Sequence, residues 1–182
     1  MIEASHTVLI NRPIDAVWEY ARDMGRWAGI FPGCREFHPI DEDNSEWTIK
    51  VGVGGLVRVV GVQVRVDRWQ GPETVDFSYR LKAEPVVGQG RYTAIAVARD
   101  ETELTLHVEI QGSGQMAMMW ESMCRPVIPM LLKSFAQDFK AEVEKTAEPD
   151  GSVAAAQTSW FERLRVWLRG WWAPAGRGGT SR

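Results

Sequence analysis

Cysteine, histidine and long apolar runs are all scarce in this chain of 182 residues. Two cysteines, Cys34 and Cys124, exclude a disulfide-built scaffold and show no metal-type spacing, so a reducing compartment is expected. The three histidines, His6, His38 and His107, are scattered. None has a carboxylate or cysteine at relay or ligand spacing, and we assign no catalytic and no metal-binding residue. The glycines at 52, 54 and 55, and at 88 and 90, are not followed by a helix, so they read as strand bends rather than phosphate cradles. No window reaches the roughly 20 apolar residues of a spanning helix, and the first residues read as no secretory signal. A basic excess is also missing. With a formal net charge of −3, the chain is not expected to bind nucleic acid.

What is present is unevenly distributed. Residues 160–182 carry five arginines against Glu162, a local charge of +4, so the other residues sum to −7 within the overall −3. Four of the nine tryptophans lie in the same short segment. On a helical wheel Trp160, Phe161, Leu164, Trp167, Leu168, Trp171 and Trp172 share one arc. Arg163, Arg165 and Arg169 lie opposite, with Ser159-x-x-Glu162 at capping-box spacing. About 13 residues at 1.5 Å each make a helix of about 20 Å, too short to cross a bilayer. Aromatic side chains at the headgroup boundary and arginines toward anionic phosphates describe an interfacial, membrane-binding helix. Residues 147–159 have linker composition, which leaves residues 1–146 as the folded domain.

Within that domain the apolar pattern changes period. Residues 3–11 read as a strand. Pro13 then opens a helix bearing Ile14, Val17 and Trp18, and a short helix over 24–31 stops at Pro32-Gly33. His38 falls in what reads as a loop. Clean alternation follows at Trp47–Val53, Val60–Val66, Val75–Leu81 and Leu104–Ile110, the mark of antiparallel strands with one wet face. The stretch 90–99 is also a strand, with its register open between the Tyr92/Ala94 and Ile95/Val97 phases. From Gln115 the spacing turns helical through about residue 146, and Pro126 and Pro129 are expected to kink or break that helix near its start. One curved antiparallel sheet around a long C-terminal helix is an α+β, helix-grip (START-like) fold, expected to enclose a cavity.

The alternation nominates the cavity lining. From the strands come Trp47, Ile49, Val60, Val62, Val64, Phe77, Tyr79, Tyr92, Leu106 and Val108. From the helix come Met116, Met119, Trp120, Met123, Val127 and Leu131. Five of the seven methionines fall between 116 and 130, where shape-adaptable side chains suit a variable lipophilic ligand.

Pro13-x-x-x-Val17-Trp18, Phe31-Pro32-Gly33-Cys34, Ile49-Lys50-Val51-Gly52, Gly61 and Phe135-x-x-x-Phe139 occur in an order that resembles the CoxG family. Its members are accessory proteins of carbon monoxide dehydrogenase, within the polyketide cyclase/START-like (SRPBCC) superfamily. The resemblance covers about residues 3–146 and departs at Val53-Gly54-Gly55, where many relatives read Gly-Pro. It implies a non-catalytic accessory protein at the inner face of the cell membrane. Its implied partners are membrane lipid and a molybdenum-containing carbon monoxide dehydrogenase-type hydroxylase. The implied ligand is an isoprenoid quinone, menaquinone or ubiquinone. Two alternatives stand beside this reading: a soluble cyclase/aromatase-type enzyme, and a membrane tether with no ligand.

Overall fold

Alternating Val, Ile and Leu against Arg, Glu and Thr leaves a strand only one way to bury its apolar side, and seven such strands here form one sheet. The computed structural model describes residues 1–53, 56–115 and 117–146, with the side chains of Val53 and Leu56 left aside. In chain order these residues form β1 (Ile2–Ile10), α1 (Ile14–Ala21), α2 (Met24–Ile30), β2 (Cys34–Pro39), β3 (Asn44–Val53) and β4 (Leu56–Gln70). There follow β5 (Thr74–Leu81), β6 (Val86–Ala98), β7 (Glu101–Gly112) and α3 (Ala117–Lys145). The sheet is antiparallel throughout, ordered β1-β7-β6-β5-β4-β3-β2. Hairpins join successive strands from β2 to β7, while β1 closes against β7. The sheet curls over α3, which packs mainly on β1 and β7. This is the expected helix-grip architecture.

Three expectations need correction or completion. His38 lies in β2, a strand that alternation did not reveal because Phe37 is its one partly buried large residue and Pro39 ends it. In β6 the Tyr92/Ala94 phase faces inward, at 0% and 1% exposure, while Ile95 and Val97 face out at 54% and 50%. Gly88 and Gly90, in the same phase, bed the Tyr79 and Phe77 rings, and the Tyr92 ring packs against Trp27 and Phe139. Finally, α3 is not broken at its prolines: Pro126 and Pro129 both sit inside one continuous helix. Both are exposed, so no packed neighbour suffers from the missing backbone donors.

Local chemistry sets the two short helices. Asp23 caps α2, its carboxylate accepting from the Gly25 and Arg26 amides at 2.8 and 3.3 Å. Gly33, at φ +84°, makes the turn into β2, where a side chain would strike the Lys50 carbonyl. The capped helix α2 carries Trp27 into the grip, 5.7–6.1 Å from the rings of Phe77, Tyr92, Phe135 and Phe139. A smaller cluster of Ile2, Val86, Ile110 and Trp120 seals β1, β6 and β7 against the start of α3. Among the described residues no helix is long and apolar enough to cross a membrane.

Candidate functional site

Between the concave face of the sheet, α2 and the middle of α3 lies a cavity of about 170 Å³. Its lining is apolar throughout, mixing aromatic rings with aliphatic side chains. Trp27 and Phe31 come from α2 and the turn after it, and Phe135 from α3. Trp47, Ile49, Val62, Val64, Phe77, Tyr79, Leu106 and Val108 come from the strands, and Ile128, Leu131 and Leu132 from α3.

Two glycines shape one wall. At Gly88 an added Cβ would collide with the Tyr79 ring, and at Gly90 with the Phe77 ring. Their hydrogen atoms leave beds on β6 in which the two neighbouring rings of β5 lie. Gly88 and Gly90, read from the sequence as bends, thus set how far Phe77 and Tyr79 protrude into the cavity.

The polar atoms of the lining rings are already engaged. The Tyr79 hydroxyl donates to the Glu109 carbonyl at 3.0 Å, and burial pushes its phenol well above the usual range. Trp47 Nε1 donates to Ser45 Oγ at 2.9 Å, and Trp27 Nε1 to the Ala21 carbonyl at 2.8 Å. His107 borders the cavity, but its place on β7 turns the ring to the outer face, with Nε2 3.3 Å from Glu109 and 3.7 Å from Glu3. Among the described residues no carboxylate lines the space, and no group of His, Cys, Asp and Glu could hold a metal ion. Both cysteines are half-buried, and burial raises the pKa of each thiol. Such a site can exclude water and hold an apolar group.

The expected ligand-binding residues divide. Trp47, Val62, Val64, Phe77, Tyr79 and Leu131 line the cavity, as do Ile49, Leu106 and Val108. The others do not. Tyr92 is fully buried in the core behind it, and its hydroxyl has no partner among the described residues. Trp120 is buried in the second cluster, and Val60 lines a separate depression of about 140 Å³ with Leu81 and Arg58. Met119 is 43% exposed, and Met123 and Val127 are half-exposed outside the cavity. Met116 lies outside the described residues, as do linker 147–159 and the membrane-binding set Trp160 to Trp172. Sequence reasoning missed Met24, Trp27, Phe31, Ile110, Ile128, Leu132 and Phe135. The helix face explains three of these. The inward line runs 120, 124, 128, 131/132, 135, whereas the methionines drew the expected stripe to 119, 123 and 127. Giving Cys124 apolar weight would have found it.

Size limits what enters. A cavity of about 150 Å³ accommodates a benzene ring, whereas drug-sized sites run to roughly 300–1,000 Å³. At about 170 Å³ this one holds a single ring or a short acyl segment, and a longer molecule must leave through the mouth.

Known structures share the architecture. A conserved protein from Geobacillus kaustophilus is 17% identical, with a TM-score of 0.70 over 80% of this chain and 97% of that one. The Zhui aromatase/cyclase from Streptomyces sp. R1128 is 20% identical, with a TM-score of 0.62 over 84% and 99%. A START superfamily protein from Mycobacterium smegmatis is 12% identical, with a TM-score of 0.57 over 80% and 99%. At these identities the likeness concerns the fold. No curated protein matches the chain. Residues 1–144 match the sequence family described as polyketide cyclase / dehydrase and lipid transport, and the chain belongs to that family.

Proposed function

We propose that this protein is a peripheral membrane accessory protein that carries a lipophilic molecule, a quinone, in the grip cavity. The observation that carries this reading is the apolar cavity, whose lining tryptophans and tyrosine spend their polar atoms on the protein itself. The family's ligand-binding character supports it. The finer assignment rests on the CoxG-type motifs: service to a carbon monoxide dehydrogenase-type molybdenum hydroxylase, with the Trp/Arg segment 160–172 holding the chain to the inner membrane face. A quinone ring matches the cavity in size and its isoprenoid chain would extend through the mouth. Native mass spectrometry of protein gently extracted from its own membranes tests the carrier. Co-purified menaquinone or ubiquinone is expected, and an empty cavity under those conditions counts against it.

A second reading, a cyclase-type enzyme, draws on the likeness to an aromatase/cyclase and on the buried Tyr92 hydroxyl, which lies behind the cavity wall and has no partner among the described residues. The variant Tyr92→Phe separates the two. A carrier keeps its ligand, whereas an enzyme that uses the phenol loses turnover of its polyketide substrate.

A further inference from the structure

The antiparallel register sorts the turns to two ends of the sheet. One end holds the turns after β2, β4 and β6, where Asp41, Glu42, Asp43, Glu73, Asp100 and Glu101 gather. The other end holds the chain start, the turns after β3 and β5, and the first turns of α3. There the carboxylates Glu84 and Glu121 are taken by Arg58 and the Met1 amino group. Arg35, Lys50 and Arg125 are exposed at this same end and enter no ion pair among the described residues.

The cavity opens toward the same end. Along the inward face of β4, Val66 and Val62 are 3% and 6% exposed, while Val60, nearer the hairpin, is half-exposed. On β3 its cross-strand partner Ile49 is buried, while Val51, two residues nearer the hairpin and opposite Arg58, is half-exposed. On the outer face of the same hairpin Val57 and Val59 are 58% and 64% exposed, and at the start of α3 Met118 is 85% exposed. The opposite end also exposes apolar groups, Ile95 and Val97 among them, but there Glu103 pairs with Ile95 and Asp100 and Glu101 close the turn beside Arg99. Charge therefore decides which end an anionic, apolar surface accepts.

We propose that this end of the folded domain docks on an anionic lipid bilayer. Val57 and Val59 of the β3–β4 hairpin and Met118 of α3 enter the headgroup–acyl boundary, and Arg35, Lys50 and Arg125 meet lipid phosphates. Unbranched methionine and a projecting hairpin suit a deformable surface better than a rigid protein face. The free cations match anionic headgroups. Docked this way, the cavity mouth faces the acyl region, and a ligand too long for about 170 Å³ keeps its tail in lipid while its ring enters. This rests on the carrier reading and adds a second membrane contact, within the domain and independent of segment 160–172.

The test uses the full chain with Cys34→Ala and Cys124→Ala, bearing Val57→Cys, Met118→Cys or, as the opposite-end control, Glu73→Cys. Each is labelled with bimane and mixed with phosphatidylcholine/phosphatidylglycerol vesicles brominated on the acyl chains. Quenching at 57 and 118 but not at 73 is expected. In the label-free arm, Lys50→Glu with Arg125→Glu lowers vesicle affinity roughly tenfold or more. Unquenched labels on vesicle-bound protein overturn the proposal and make an acidic protein surface the occupant. Equal quenching at all three positions, or failure of the chain to bind vesicles, also overturns it. Ligand carriage is read separately by native mass spectrometry, so it can fail or stand whatever the labels report.

Discussion

Gly88 and Gly90 set the depth of the cavity without offering a side chain to it. Because the Tyr79 and Phe77 rings occupy the space where their Cβ atoms would sit, a methyl group at either position must push an aromatic ring toward the ligand. Gly90→Ala is expected to cost about 1–3 kcal/mol of stability, as overpacking does. The same change should weaken ligand binding, and denaturant unfolding with ligand titration reads both effects. At Val62, 6% exposed on the cavity wall, a change to Trp fills the space directly. Val62→Trp is expected to abolish ligand co-purification while the fold persists by circular dichroism. If the protein is only a tether, the variant keeps full function in the cell.

At the scale of the elements, α3 has two tasks along its length. Its second half is core, with Phe135, Ala136, Phe139 and Val143 at 5% exposure or less. Its first half, from Glu121 to Leu131, is nowhere fully buried: Ile128 and Leu131 border the cavity, and Cys124 and Ile128 pack on the second apolar cluster. Pro126 and Pro129 lie in that span and remove the amides that would bond the carbonyls of Ser122 and Arg125. Pro126→Ala restores one such bond and is expected to stabilise the helix by about 1 kcal/mol or more. Slower amide exchange over residues 122–130 and slower ligand release are the measurable consequences. Unchanged exchange there would remove the prolines from any account of how the cavity opens.

Across the whole molecule, charge is organised by position. On the outer face of the sheet Asp76 accepts from Arg91 and Arg68, Glu46 from Lys82 and Gln63, and Glu109 from His107 and Gln89. Each carboxyl is held below its usual pKa by those hydrogen bonds. Depressed values mean stabilisation that is complete above the ordinary carboxylate range and lost as pH falls through the folded values. The thermal midpoint is therefore expected to be flat from neutral pH to about pH 5 and to fall below about pH 4. Asp76→Asn should flatten that fall. These groups are partly exposed and their Lys and Arg partners more so, so high salt should shrink the effect. At the same scale, removing residues 160–182 is expected to lower binding to anionic vesicles at least tenfold, as seen by co-sedimentation. The weak binding left over belongs to the folded domain.

Alternation along β3, β4, β5 and β7 was enough to predict the strands and their buried faces, because a period of two has only two phases. The long helix, the acidic body and the basic aromatic segment were legible for the same reason: each is a local pattern or a sum over residues. The lining of the cavity is different. Whether an inward residue such as Tyr92 packs in the core or faces a void depends on where Trp27 and Phe135 arrive from elements far away in sequence. The inner phase of β6 was settled by rings from β5 pressing on its glycines, and the polarity of charge between the two ends emerged only when the register brought separate turns together. Composition and period determine which face is apolar. Only tertiary packing decides how much of that face is left unfilled, and toward which end it opens.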